Sequence, residues 1–286
     1  MVYIPSYLFC LSKAFTLALN LFKMDAWSTK YLQNWAHDFK EEPNNKQTLK
    51  YLEKVMSELK NLSDSKSTNK TTTSPSAVAL SILNCIKSQQ NPEIALEDLQ
   101  ALVFEAAIES PLSAMDLAEF MQSLLDNLSG PLGKKFKLQL ASNTRERWNG
   151  PEKPSSSKGL DQCIEEWVSL NTFVAHLSRT YTVPLEDYAL RTFNRAFGPG
   201  VDLDEKVYHI PAAAAWMDIM GEDIYLWSSQ NSGDNGQSGF ELDKWREWKR
   251  GFETCSNSDR LHPQAKGQAE RAYSRMKALE TAGTCH

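Results

Sequence analysis

Cysteine is scarce in this sequence, and its spacing forms no redox or metal-binding motif. The five cysteines of the 286-residue chain are odd in number, widely spread, and include no CxxC pair. Cys85 and Cys163 lie among apolar residues, where a free thiol behaves as a small hydrophobic side chain. A reducing compartment therefore fits this cysteine usage best.

The motifs of common cofactor-dependent and nucleophilic enzymes are also absent. The chain contains no Walker loop, no GxGxxG, no HExxH and no GxSxG. Its five histidines are scattered without the spacing of metal ligands. We therefore predict that the protein uses neither a cofactor nor a metal ion.

Basic clusters are rare, which argues against a nucleic-acid partner. The formal net charge is −5, whereas a phosphate-binding face needs clustered Lys and Arg. Lys134, Lys135 and Lys137 form the one compact basic run without interleaved acids, and such a run is typical of a solvated loop.

One long apolar run stands at the N-terminus, where residues 2–22 read VYIPSYLFCLSKAFTLALNLF. Lys13 and Pro5 weaken a membrane span, and no basic residue precedes the apolar core as in a signal peptide. Three interpretations of residues 1–23 stay open: an extension that packs as a helix, a cleaved or anchoring segment, or a true start at Met24. We predict a cytoplasmic protein, secretory or membrane-anchored if this segment acts as a signal, with membrane contact only if it is kept as an anchor. The oligomeric state stays open.

Helical periodicity runs through nearly the whole chain. Aromatic residues recur at four-residue steps from Trp27 to Phe39, and Asn91-Pro92 has the form of an N-cap followed by a first-turn proline. No stretch alternates with period two for long enough to be a strand. We predict an all-α protein, an irregular multi-helix bundle or short α-solenoid of about nine to eleven helices with no sheet.

Polar stretches divide the predicted helices into groups. Residues 63–76, SDSKSTNKTTTSPS, contain no apolar side chain and so form a linker or loop. This predicts a helical pair over residues 24–62 and a main helical domain over residues 77–286. The main domain has a break near residues 149–159 and a flexible, polar loop over residues 228–239.

The stretch AAAAWMDIMGEDIYLW, Ala212 to Trp227, is apolar over most of a helix circumference yet carries three carboxylates. Such a helix is expected to be central and buried. Asp223 shares a face with Trp216 and Trp227, and a buried carboxylate must be paired, hydrogen-bonded or protonated. Asp223 is therefore either the acid of a site, with a raised pKa, or a structural residue that pairs with an arginine such as Arg191 or Arg195 or caps a neighbouring helix end.

Neighbouring residues allow the same two interpretations. Gly221 within a helix indicates close approach by another helix or by a ligand. His209, which precedes Ile210-Pro211 at the predicted head of this helix, either faces a pocket or serves as a loop or capping residue. Trp245 and Trp248 share a helix face and belong either to the core or to an aromatic cavity wall.

The motifs IPAAAAWMDIMGEDIYLW and GFELDKWREWKRGFE, joined by a polar loop, resemble the fungal DUF3632 family of proteins of unknown function. The resemblance covers roughly Leu160 to Leu279, with a weaker similarity in the helices from Ser76. The loop is longer and more polar than in the family pattern, and the N-terminal extension lies outside it. The resemblance implies an all-helical fungal protein, and some members look like passengers in secondary-metabolite gene clusters. It transfers no catalytic residue.

Two functional classes remain. The first is a cofactor-independent helical protein that binds a small, largely apolar organic molecule and could act as a cyclase or isomerase of fungal secondary metabolism through positioning and acid–base residues. Its catalytic candidates are Asp223 and His209. Its binding candidates are Trp216, Met220, Trp227, Tyr188, Trp245, Trp248 and Arg191.

The second class is a non-catalytic helical module that binds a protein partner on a concave face. A closed pocket lined by the tryptophans, with Asp223 or His209 in its wall, would favour the first class. A filled core with an exposed apolar groove would favour the second.

Overall fold

The computed structural model describes residues 23–41, 45–64, 74–109, 112–180, 183–230 and 239–283. These residues form eleven helices and no strand, which confirms the predicted all-α fold. The apolar segment 1–22, residues 65–73 of the predicted linker and residues 231–238 of the predicted loop lie outside the described residues.

The chain divides into two compact units, Met1–Glu146 and Arg147–His286. The helices up to this boundary are α1 (23–38), α2 (Asn45–Asp64), α3 (Pro75–Lys87), α4 (Pro92–Glu109), α5 (Ala114–Asp126) and α6 (Gly130–Arg147). Those of the second unit are α7 (Leu160–Arg179), α8 (Asp187–Phe197), α9 (Leu203–Gln230), α10 (Leu242–Ser256) and α11 (Pro263–Gly283). The boundary falls just before the predicted break at residues 149–159, while α2 contacts α3 and α4 from the other side of the predicted linker.

Side-chain caps determine where the helices of the first unit begin. The hydroxyl of Ser74 accepts a hydrogen bond from the amide of Ala77, and Pro75 occupies the first turn of α3. Asn91 Oδ1 accepts from the amides of Glu93 and Ile94 at 3.2 and 3.3 Å, which confirms the predicted cap of α4. The first unit then buries the apolar stripes of these helices, and Leu52, Val55 and Leu59 of α2 are wholly inaccessible to solvent.

Helix α9 is the central helix of the second unit, as its all-round apolar character predicts, and it contacts α7, α8, α10 and α11. It begins at Leu203, well before the predicted start of the helix near Pro211, and Pro211 lies inside it. His209 is therefore an interior helix residue rather than a loop or capping residue. Proline lacks an amide hydrogen, so Pro211 removes one backbone hydrogen bond without ending the helix.

One buried amide joins three helices of the second unit. Asn171 of α7 accepts hydrogen bonds from Trp216 Nε1 of α9 at 2.9 Å and from Thr192 Oγ1 of α8 at 3.1 Å. Its own amide nitrogen donates to the carbonyl oxygen of Trp167 at 2.8 Å. Because each polar group is paired, this network fixes the relative positions of α7, α8 and α9 within the core.

Gly221 allows the close approach of helices that its position predicts. A Cβ atom at this residue would lie 3.2 Å from Leu279 Cδ1 of α11 and 3.1 Å from Met217 Sδ. The approaching group is therefore a side chain of a neighbouring helix, and glycine here permits α9 and α11 to pack tightly.

Candidate functional site

The structure separates the predicted site residues into two groups along α9. Trp216 and Tyr188 lie beside Trp148, with ring centroids 6.5 and 4.7 Å from that of Trp148. His209 meets Trp167 edge to face at 5.8 Å. We call these five residues the aromatic cluster; Trp148 and Trp167 were not among the predicted site residues.

The second group surrounds the C-terminal half of α9. Trp227 contacts Phe240 at 5.1 Å between centroids, and Phe240 contacts Trp248 at 6.2 Å. Trp248 in turn stacks on Phe193 at 4.4 Å. Trp245 packs against Tyr225 and donates its Nε1 hydrogen to Glu280 at 3.0 Å.

Most members of both groups are buried. Trp216 and Trp245 have no exposed surface, while 1% of Met220 and 3% of Trp248 are accessible, and Tyr188 and Trp227 are half-buried. The burial of Trp216, Trp245 and Trp248 favours a core role for these three tryptophans.

Asp223 is half-buried, whereas a buried position was expected. Arg191, one of the arginines considered as its partner, is exposed and its guanidinium carbon lies 5.7 Å from the centre of the Tyr188 ring. On the face that Asp223 shares with Trp216 and Trp227, Trp216 is fully buried, whereas Asp223 and Trp227, nearer the end of α9, are half-buried.

His209 is buried and stays neutral near pH 7. Its Nε2 lies 3.6 Å from Glu205 Oε2, and its Nδ1 is buried with no hydrogen-bond partner in the described part of the chain. Burial, followed by the positive charge of Arg195, lowers the pKa of the imidazole to about 4. A histidine with this pKa is poorly suited to proton transfer near neutral pH.

Open space lies in the first unit, where a cleft of about 430 Å³ separates the start of α2 from the start of α4. Helix α2 contributes its first two turns, the α3–α4 connection contributes three polar residues, and α4 contributes its first two turns. The lining residues are Gln47, Thr48, Tyr51, Gln89, Gln90, Asn91, Ile94, Ala95 and Asp98.

Hydrogen bonds hold the walls of this cleft in place. Tyr51 of α2 donates its hydroxyl hydrogen to the carbonyl oxygen of Ala95 in α4 at 2.8 Å, which fixes the two helices relative to each other. Gln89 Nε2 donates to the carbonyl oxygen of Cys85 at 3.0 Å, and Asn91 caps α4. The cleft is therefore built from ordered elements.

Asp98 is the acidic residue of the cleft. Burial, and to a smaller degree the charge of Glu97, raises the pKa of this carboxyl to about 6. Asp98 makes no ion pair with any residue that the structure describes. Burial also raises the pKa of Tyr51, with Asp98 and Cys85 adding to the effect, so Tyr51 remains a neutral hydrogen-bond donor.

The sequence-based interpretation missed this cleft because its residues form no motif. Tyr51 and Asp98 are far apart in the chain, and only the packing of α2 on α4 brings them together. The available signal was local: Asp98 is an acid in the strongly apolar helix α4, next to the buried Leu96 and Leu99.

Three further features concern metal ions, membranes and basic clusters. Within the ranges that the structure covers, no three His, Cys, Asp or Glu side chains are arranged to hold a metal ion. Among the helices described, none combines the length and the apolarity needed to cross a membrane. In the basic run of α6, Lys135 pairs with Glu93 and Glu97.

A family model for proteins of unknown function, DUF3632, matches residues 100–252. Comparisons with curated proteins and with solved structures found no match. The matched segment starts earlier and ends earlier than the quoted motifs suggested, and it contains the aromatic cluster and the helices around it. The cleft residues all precede this segment, and those of α2 lie well before it. Since the match spans more than half of the chain, the protein belongs to the DUF3632 family.

Proposed function

We propose that the protein binds a small organic molecule in the cleft between α2 and α4. The observation that carries this proposal is a cleft of about 430 Å³ with hydrogen-bonding side chains and one carboxyl whose pKa is raised to about 6. Sites for small ligands have volumes of roughly 300 to 1,000 Å³ and hold a few polar groups that orient the ligand. A strongly shifted carboxyl in a cleft is typical of such a site.

The lining offers a ligand both polar groups and apolar surface. Six of its nine side chains carry an amide or hydroxyl group, while Ile94, Ala95 and the ring of Tyr51 offer apolar contact. If the protein catalyses a cyclisation or isomerisation, Asp98 is the residue placed to transfer a proton, since a pKa near the operating pH suits a general acid or base. The family resemblance favours a fungal secondary metabolite as the ligand, and the free, buried Cys85, Cys163 and Cys255 fit a cytoplasmic setting.

The aromatic cluster supports this proposal less well. Its tryptophans are buried and its histidine is neutral at physiological pH, so binding there would require buried side chains to move. Close-packed interiors resist such opening because each displaced side chain loses its contacts.

The proposal can be tested by filling the cleft. The Thr48→Trp variant places an indole in the cleft, and Lys50→Trp places the same indole on the exposed, non-lining side of the same turn. A fragment screen by amide chemical-shift mapping should give responses from cleft residues in the wild-type protein and in Lys50→Trp, and these should disappear in Thr48→Trp. Responses that survive in Thr48→Trp, or an unresponsive cleft in the wild type, would contradict the proposal.

An unresponsive cleft would favour the second functional class, a helical module that binds a protein partner without catalysis. The packed tryptophans of the second unit are compatible with that class, since a binding module needs a rigid core and no internal cavity. Fragment responses confined to the cleft would favour the small-molecule class.

A further inference from the structure

We propose that the cleft selects an organic cation, a molecule with an ammonium or similar group, and that Asp98 is the counter-ion. This inference rests on the small-molecule function proposed above and specifies the chemical class of the ligand. The inference follows from the charges of the residues that line the cleft and from the hydrogen bonds that the amides at the start of α4 already make.

The cleft carries negative charge and lacks positive charge. Of its nine lining residues, Asp98 and Tyr51 are ionisable, and none is Lys, Arg or His. An anionic ligand would therefore be buried without a counter-ion and close to a carboxylate, which is costly. A cation would instead form a charge-assisted hydrogen bond with Asp98.

The start of α4 does not supply a competing anion site. Its first free amides, those of Glu93 and Ile94, are already bonded to Asn91 Oδ1. Glu93 also places a carboxylate in the first turn, where it offsets the positive end of the helix dipole.

Two cations near the cleft contact groups outside its lining, and Glu97 adds negative charge on α4. Lys135 of α6 pairs with Glu93 and Glu97, on the exposed side of α4. Lys54 of α2 is associated with the Cys85 thiol of α3. Tyr51 is neutral, and Glu97 adds negative potential to that of Asp98.

The remaining lining matches the body of a small organic cation. Ile94 is 51% exposed at the edge of the cleft and offers apolar contact to a hydrocarbon portion. The side-chain amides of Gln47 and Gln90, both exposed, can orient polar substituents of the ligand.

The ionisation of Asp98 should then control the affinity of the cleft for an organic cation. The carboxyl is mostly protonated at a pH of about 5 and mostly ionised at a pH of about 7, because its pKa is about 6. If only the ionised form binds the cation, the apparent affinity rises about tenfold across this interval.

This inference can be tested with three probes that share an aromatic ring and differ in the charge of their polar group. Benzylamine, benzyl alcohol and benzoate are titrated against the full chain at a pH of about 5 and about 7, and binding is followed by amide shifts of the cleft residues. We expect benzylamine to bind best and to gain about tenfold in affinity at the higher pH. In Asp98→Asn, the affinity for benzylamine should fall by at least about tenfold at that pH and should no longer depend on pH.

The matched control is Glu97→Gln, which removes one negative charge from the same turn of α4 without altering a lining residue. It should keep its preference for the amine. Equal binding of benzyl alcohol and benzylamine, or preference for benzoate, would overturn the cation inference while leaving the cleft as a binding site. No cleft response to any probe or fragment would overturn both proposals.

Discussion

Asp98 is the residue whose chemistry depends most on its surroundings. Half-burial against α2 and the neighbouring Glu97 both disfavour its ionised form, while no described cation compensates for them. The folded protein therefore holds a proton at Asp98 more tightly than the unfolded chain does. Such a group lowers stability at neutral pH, which is common where a residue is arranged for function.

This arrangement predicts a pH-dependent effect of Asp98→Asn. Because the pKa is raised from 3.8 to about 6 on folding, the stability contributed by Asp98 is full below pH 3.8 and is lost as the pH rises through about 6. We expect Asp98→Asn to be more stable than wild type by about 1 to 2 kcal/mol near neutral pH, after allowance for solvent screening, and similar to wild type at low pH. Urea unfolding at both pH values measures this difference, and a constant difference across pH would contradict the assigned pKa.

Asn171 supports a second residue-scale prediction. Asn171→Ala removes the acceptor of Trp216 Nε1 inside the core, while the Thr192 hydroxyl keeps the carbonyl oxygen of Tyr188 at 2.8 Å, so we expect a loss of about 1 to 3 kcal/mol in the free energy of unfolding. Trp216→Phe removes this donor and leaves the Asn171 oxygen in contact with Thr192 Oγ1, and should cost less. A double-mutant cycle by chemical denaturation tests the coupling, and strict additivity of the two substitutions would argue against the network.

Helix packing in the second unit depends on small residues at specific crossings. A Cβ atom at Gly251 of α10 would lie 2.4 Å from the Phe197 ring of α8 and force that ring to move. Gly267 of α11 has nothing within 4 Å of the corresponding position. The two glycines have the same helical propensity and opposite surroundings, which makes them a matched pair.

Alanine substitutions at these two positions should have opposite effects. Gly267→Ala should stabilise the protein by about 0.5 to 1 kcal/mol, since alanine is the better helix former and meets no atom. Gly251→Ala should destabilise it by about 1 to 3 kcal/mol, because steric overlap exceeds the gain in propensity. Thermal and urea unfolding of both variants provide the comparison, and stabilisation by both would show that α8 and α10 are packed less tightly than described.

For the whole molecule, the helical content could be predicted from the sequence, whereas the cleft between α2 and α4 could not. Hydrophobic periodicity, helix caps and the positions of proline depend on residues that are close in sequence. The all-α fold, the cap at Asn91 and the close approach at Gly221 were therefore correctly predicted. The start of α9 was placed too late because Pro211 is tolerated inside a helix that packs on every side. The cleft depends on Tyr51 and Asp98 meeting through tertiary packing, which no local pattern reports.

The two compact units therefore differ in what they contain. The second unit contains most of the segment shared with the DUF3632 family and a densely packed aromatic core. The first unit contains the cleft and the shifted carboxyl. A ligand should consequently stabilise the first unit by mass action, with effects concentrated on the helices that line the cleft.

Hydrogen exchange with and without benzylamine distinguishes binding at the cleft from binding at the aromatic cluster. At a pH of about 7, benzylamine at a concentration near its wild-type Kd should slow amide exchange at the start of α2, in the α3–α4 connection and in the first turns of α4, and Asp98→Asn should remove most of this protection. The amides around Trp148, His209 and Trp216 should be unaffected. Protection centred on that aromatic cluster, with none at the cleft, would contradict ligand binding between α2 and α4.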